Sequence, residues 1–372
     1  MNRLEEIYRA VLFASLTGGS FLAAEPAGPA GMVPSGPLPA VIAAITTSQS
    51  SPIVDDSGER VRDAATVRAL LTGKKFDELE SLLQRWTDTQ ARNSSGSWRV
   101  EVLSSGSRPE VAGKDDPAWE AFQHLHEAWR AQAKTPSPWQ VVAEATFWIE
   151  YGWEARGTGY ADTVTPQGWR LLAARLDRGE ELMTRHWDLV RGLPSAHVVM
   201  SRLAVARGYP RARRDELMAN AIALWPDYNA FYFGYAIYVL PRWYGRPGEL
   251  KEWAWRATEG RPEDFRREIY ARIAWSLVSS HRLVMKETGM EWPGIRAGFE
   301  VLRAKWPASG HILNRYARFA WQANDRSKAR ELLLLIGDRP VKAAWGTPEN
   351  FAKFRQWANP TGQGGRAMNA RN

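Results

Sequence analysis

Apolar positions recur every three or four residues along most of this chain. Phe76, Leu79, Leu82, Leu83 and Trp86 form one stripe, and Ala118, Phe122, Leu125 and Trp129 form a second. Trp169, Leu172, Ala173, Leu176, Met183 and Trp187 make a third, and Tyr270, Ile273, Leu277, His281 and Val284 a fourth. Such spacing predicts amphipathic helices, because residues three and four apart share a helical face. Alternation with a period of two occurs only over 98–103 (WRVEVL), where it predicts a short strand or hairpin. Asp116-Pro117, Ser137-Pro138, Thr165-Pro166 and Thr347-Pro348 each place a capping oxygen before a proline. Proline suits the first helical turn because its missing N–H would have no partner there, so these pairs predict four helix starts.

Trp225-Pro226 is followed by Tyr235-Ala236, and Trp306-Pro307 by Tyr316-Ala317, at the same internal spacing. In a helix-pair repeat the proline stops one helix and the small residue lets the next approach a neighbour closely. Residues 309–337 form the clearest tetratricopeptide-like unit. One helix over 309–323 is expected to bury Ile312, Tyr316, Phe319, Ala320 and Ala323; the next, over 325–337, Ala329, Leu332, Leu333 and Ile336. Extra Pro and Gly over 241–262 break the period. The predicted fold is all-α: an irregular array of antiparallel helix pairs, a tetratricopeptide-like α-solenoid over 59–358.

The ends differ in composition. Residues 24–58 are rich in Ala, Pro, Gly and Ser, and with the apolar stretch before them make up an N-terminal arm, 1–58, expected to be disordered. Residues 359–372 are expected to be a disordered tail. The apolar stretch 10–24 is interrupted by Thr17-Gly18-Gly19-Ser20 and preceded by Glu5 and Glu6 as well as Arg3 and Arg9. It is too short for a transmembrane span, and its flanks favour cytoplasmic residence over export by a weak signal peptide. The chain has no cysteine, which excludes disulfides, thiolate metal sites and cysteine nucleophiles. Its 19 tryptophans suit helix-packing layers in which the indole N–H reaches a polar partner.

Three stretches, YGWEARGTGYADTV (151–164), WPDYNAFYFGYAIYVLPRWYGRPGEL (225–250) and EIYARIAW (268–275), resemble the bacterial domain-of-unknown-function family 4034. The resemblance covers residues 60–285 and implies an irregular tetratricopeptide-type helical protein; it implies no activity. Its most distinctive element is the Pro-Arg-Trp turn at 241–243, where Tyr244 replaces the usual glycine and Gly245 is placed to take over.

Candidate chemistry is sparse. Arg156, Gly157, Gly159 and Tyr160 follow a helix, so the glycines free backbone N–H groups to meet an anion or simply cap the helix. Arg242 and Trp243 put a guanidinium beside an indole, able to hold a carboxylate or to lock the loop. A small-molecule, anion-binding or enzymatic site requires these two loops to converge. Glu120, His124 and Glu127 share a helical face, read as solvated rather than metal-binding because no second helix supplies matching ligands. His126 points elsewhere on that helix, and His281 reads as a hydrogen-bonded core residue. Lys and Arg exceed Asp and Glu by 49 to 41, a net charge of +8 that is mostly dispersed, with Arg202, Arg207, Arg211, Arg213 and Arg214 the densest basic cluster. No nucleic-acid module surrounds them, so a solvated basic face is expected rather than binding to an anionic polymer. No cofactor, metal or catalytic motif is expected. The architecture points to a scaffold for a protein or peptide partner.

Overall fold

Helix starts fall where the capping pairs place them. The structure is a computed structural model that describes residues 53–110, 113, 116–132, 134–157, 163–241 and 244–359. Ser137, Thr165 and Thr347 each accept a backbone N–H three residues on, from Gln140, Gly168 and Asn350. Asp116 accepts from Ala118, the first residue of its helix. Eighteen α-helices follow among the described residues, with no strand. They are α1 (Glu59–Thr72), α2 (Phe76–Asp88), α3 (Leu103–Gly106), α4 (Ala118–Gln132), α5 (Pro138–Arg156) and α6 (Pro166–Arg185). Next come α7 (Trp187–Val190), α8 (Pro194–Ala206), α9 (Arg211–Leu224), α10 (Ala230–Tyr238), α11 (Glu249–Arg256) and α12 (Glu263–Ser276). The last are α13 (Val284–Thr288), α14 (Trp292–Lys305), α15 (Gly310–Gln322), α16 (Arg326–Ile336), α17 (Lys342–Trp345) and α18 (Pro348–Ala358). None is long and apolar enough to cross a membrane.

The hub is α5, buried at every position from Trp139 to Trp153 because it is apolar on all sides. It packs against α2, α3, α4, α6, α7 and α8. Its buried carboxylates all find partners, as burial demands. Gln140 and the Trp148 indole donate to Glu144, which also meets Arg130, and Glu150 takes guanidinium contacts from Arg202 and Arg108. The approach of α6 to α5 depends on missing side chains. A Cβ on Gly168 would lie 3.0 Å from the Ala155 carbonyl oxygen, one on Gly179 3.3 Å from that of Ala145, and one on Gly152 3.3 Å from Leu172. Pairing of α12 with α14 is tighter still, since a Cβ on Gly298 would stand 2.1 Å from the Arg267 carbonyl oxygen and 2.6 Å from the Ala271 Cβ. Gly298→Ala is therefore expected to lower stability by about 1–3 kcal/mol, the usual range for overpacking. Gly234→Ala on α10, whose Cβ meets nothing within 4 Å, is the control and is expected to leave the denaturation midpoint nearly unchanged.

The two helices expected over 309–337 match their apolar pattern closely. Ile312, Tyr316, Phe319 and Ala320 on α15 and Ala329, Leu332, Leu333 and Ile336 on α16 are buried. Ala323 is the half-buried cap of α15. Tyr235-Ala236 and Tyr316-Ala317 are buried too, each pair following a helix that ends just before its Trp-Pro.

Residues 91–108, a loop followed by a 3-10 turn and the one-turn helix α3, bind distant helices together. An isolated bridge joins Arg92 and Trp98; Asn93 accepts the Ser95 and Ser97 N–H groups, and Gly96 turns the chain at φ +86. A Cβ on Gly96 would meet Trp306 at 2.5 Å and Arg272 at 2.6 Å. Polar groups of α1 hold one side: Glu59 accepts from Ser94, Asp63 pairs with Arg99, and Arg60 pairs with Glu101. On the other side Asp227 pairs with Arg92 and accepts the Trp98 indole N–H through its carbonyl, while Arg272, paired with Glu268 in α12, donates to Ser95 O at 2.8 Å. Trp98, Val100, Val102 and Leu103 are all buried.

Several expectations are corrected. Residues 98–103 form no strand: after Trp98 comes a 3-10 turn, Arg99–Val102, leading directly into α3. The alternation misleads because Glu101 is buried along with Val100 and Val102, so there is no wet face. The buried stripe of α4 is Trp119, Phe122, His126 and Trp129, one residue out of register with the expected Ala118 and Leu125. On α6 Gly168 and Gly179 lie on the buried face and Ala173 is exposed. The fourth stripe is broken, α12 ending at Ser276 and α13 beginning at Val284. Within the expected disordered arm, residues 53–58 are docked. Val54 exchanges backbone hydrogen bonds with Ala308 and Gly310, and Asp56 accepts from the Ser309 hydroxyl and the His311 N–H, completing the N-terminal cap of α15. The apolar stretch 10–24 and the tail from 360 lie outside the described residues.

Candidate functional site

A cleft of about 350 Å³ opens between α4, α5 and α6. Its base is aromatic: Trp148 and Tyr151 stand one turn apart on α5, Tyr151 stacked on Trp119 at 5.1 Å. Facing them on α6, again one turn apart, are Arg175 and Arg178. The Arg175 guanidinium lies over the Tyr151 ring at 3.2 Å and donates to the Tyr151 carbonyl at 2.7 Å. Arg178 lies over the Trp148 ring at 4.5 Å. Such stacking orients a guanidinium face-on to the ring and leaves its N–H edge available. Partial burial beside Arg178 holds the Arg175 pKa below its usual value. Glu120, Gln123 and His124 supply the α4 wall. His124 is turned to Glu127 at 3.0 Å, so the polar face expected on α4 is a wall of the cleft as well as a solvated surface.

Neither Arg175 nor Arg178 forms an ion pair among the described residues, although acids are close in sequence on α6. Asp177 and Glu180 are engaged by Arg207, Glu180 also accepts from Tyr209, and Glu181 pairs with Arg185. The cleft therefore presents two cations whose neighbouring α6 carboxylates are committed elsewhere. Neither arginine stands out in the sequence; the available signal is Trp148/Tyr151 and Arg175/Arg178, two pairs at spacing three on consecutive helices.

The residues singled out by sequence have the following surroundings. Arg156 is buried, its guanidinium 5.1 Å from the Trp169 ring and 5.9 Å from Trp153, and it donates to Gly157 O at 3.1 Å. Gly157, at φ +78, caps α5 by donating to the Trp153 and Glu154 carbonyls. Gly159, Tyr160, Arg242 and Trp243 lie outside the described residues. Beside the last two, Tyr244 covers Arg214 at 4.2 Å, and a Cβ on Gly245 would lie 2.0 Å from the Val239 carbonyl oxygen, so a glycine is required there.

The basic cluster is dispersed and largely neutralised: Arg202 on Glu150, Arg207 on Asp177 and Glu180, Arg211 on Glu249 and Asp215, Arg213 on the Tyr209 ring, and Arg214 buried against Tyr244. His281 is buried with its Nδ1 2.9 Å from the Ser280 hydroxyl. His126 points away from the face of Glu120 and His124 and is fully buried against Phe147 and Trp129, with Nε2 2.8 Å from Ser107 O. No group of three or more metal-ligating side chains occurs among the described residues. Comparison with known protein families, curated proteins and solved structures finds no match.

Proposed function

We propose that this chain is a helical-repeat binding protein, an irregular tetratricopeptide-like α-solenoid similar to the 4034 family, that holds a protein or peptide partner in the cleft between α4, α5 and α6. Antiparallel pairing is supported by the order in which α5 and α6 face each other, Gly179 opposite Ala145, Leu172 opposite Gly152 and Gly168 opposite Ala155. The observation that carries the reading is the cleft itself: an open site floored by Trp148 and Tyr151 and edged by two arginines free of ion pairs among the described residues. Aromatic and arginine side chains are what binding hot spots are enriched in. An interior groove is the weaker alternative, because 91–108 already lies among α1, α12 and the turn before α10.

Selection of a displayed random-peptide library on the full chain tests this. Enriched peptides are expected to slow amide hydrogen exchange in α4, α5 and α6 and to lose at least tenfold in affinity with Tyr151→Ala, a loss worth about 1.4 kcal/mol. Absence of any enriched peptide, or protection confined to other helices, contradicts the proposal.

A further inference from the structure

We infer that the segment taken by the cleft is acidic, with one carboxylate held by the edges of Arg175 and Arg178; this rests on the peptide-binding reading above. Charge is the first reason. Of the groups lining the cleft, Arg175 and Arg178 are cationic and Glu120 is the single carboxylate, so the lining is electropositive. The α6 acids near the two arginines are all held by Arg207, Arg185 and Tyr209. Geometry is the second. Each guanidinium carbon lies over a ring and, among the described residues, the Arg175 Nη1 donates to the Tyr151 carbonyl, so the other N–H groups of the two arginines are open to a planar carboxylate, which a guanidinium fork matches. Glu120 decides between anions. Its carboxylate opposes a dianion such as phosphate, yet it accepts hydrogen bonds from the backbone N–H groups of a peptide, and Gln123 beside it both donates and accepts. The cleft, about 350 Å³, is at the small end for ligand sites and suits one or two side chains of a longer segment.

Biotinylated pentapeptide pools, acetylated and random except for a central glutamate or a central glutamine, are bound to the full chain and measured by biolayer interferometry, with inorganic phosphate as competitor. The glutamate pool is expected to bind at least tenfold more tightly than the glutamine pool, and Arg178→Gln is expected to erase that preference. Arg178 is exposed, so this variant is expected to keep the parent thermal midpoint, and Arg185→Gln, outside the cleft, keeps the preference. The advantage is also expected to shrink as salt rises. Equal binding of both pools, or a glutamate preference that survives Arg178→Gln, overturns the inference while leaving peptide binding intact. Displacement of the glutamate pool by phosphate at an equal or lower concentration assigns the site to small anions and overturns both.

Discussion

Trp98→Ala is expected to lower the unfolding free energy by about 3–5 kcal/mol, the range for deleting a large buried aromatic side chain. The position is not in any helix, which makes so large an effect diagnostic. Trp98 is 1% exposed, meets Tyr228 edge-on at 5.4 Å, carries Arg92 at 5.0 Å over its ring, and donates its indole N–H to Asp227 O at 3.0 Å. Truncation leaves a cavity between the N-terminal helices and the turn before α10, and strips the Asp227 carbonyl of a donor. Equilibrium denaturation followed by fluorescence and by circular dichroism measures the loss. Trp98→Phe, which keeps much of the volume and discards the hydrogen bond, is expected to fall between parent and alanine. A change within 0.5 kcal/mol for Trp98→Ala, the usual scale for surface substitutions, means that 91–108 is not structural.

Acid is expected to weaken the fold from about pH 6.5 downward, through His126. Burial holds its pKa down at about 4 against an ordinary 6.5. The Ser107 carbonyl only accepts, so Nε2 carries the proton and Nδ1, buried and without a hydrogen-bond partner, has nowhere to place a second one. Because the folded value lies below the unfolded one, the unfolded chain binds the extra proton first. The contribution is complete above pH 6.5 and is lost as pH falls towards 4, a change of about 3 kcal/mol at 1.36 kcal/mol per unit. His311, held at about 3 by burial and Arg315, acts in the same direction. Asp56 and Glu144, whose carboxyl pKa values burial raises, act in the opposite one. Comparison with His126→Gln, which retains a donor for Ser107 O, isolates the histidine. Its stability is expected to fall less steeply between pH 6.5 and 4; parallel curves for the two proteins would show that His126 is accessible to protons when folded.

How much was legible in the sequence depended on whether a segment stands between one core and water. The pair α15 and α16 has one buried face each and sharp caps at Ser309 and Asp325, so spacing alone located both helices and nearly all of their core residues. On α4 the competing stripes share Phe122 and Trp129, and the expected one left His126 out. A neutral imidazole with one nitrogen bonded to Ser107 O is compatible with the core, and that partner lies 19 residues away. Residues 91–108 were illegible because polar groups hold them from both sides: Glu59 and Asp63 from α1, Asp227 and Arg272 from far along the chain. The stretches WPDYNAF and EIYARIAW supply these last two residues, so part of their content is structural. The cleft needed the facing of α5 and α6, which periodicity on either helix alone does not supply.

Amide hydrogen exchange across 91–108 in the free protein tests most directly whether the helices are organised around this segment, leaving the α4–α6 cleft for recognition. The Arg99 N–H, donated to Ala91 O at 2.8 Å, the Asn93 N–H, donated to Ser97 O at 3.0 Å, and the Ser107 N–H, donated to Leu103 O at 3.0 Å, report on it. They are expected to exchange as slowly as the amides of α5, by global unfolding. Exchange at the rates of an unstructured chain, with α5 still protected, would contradict the account.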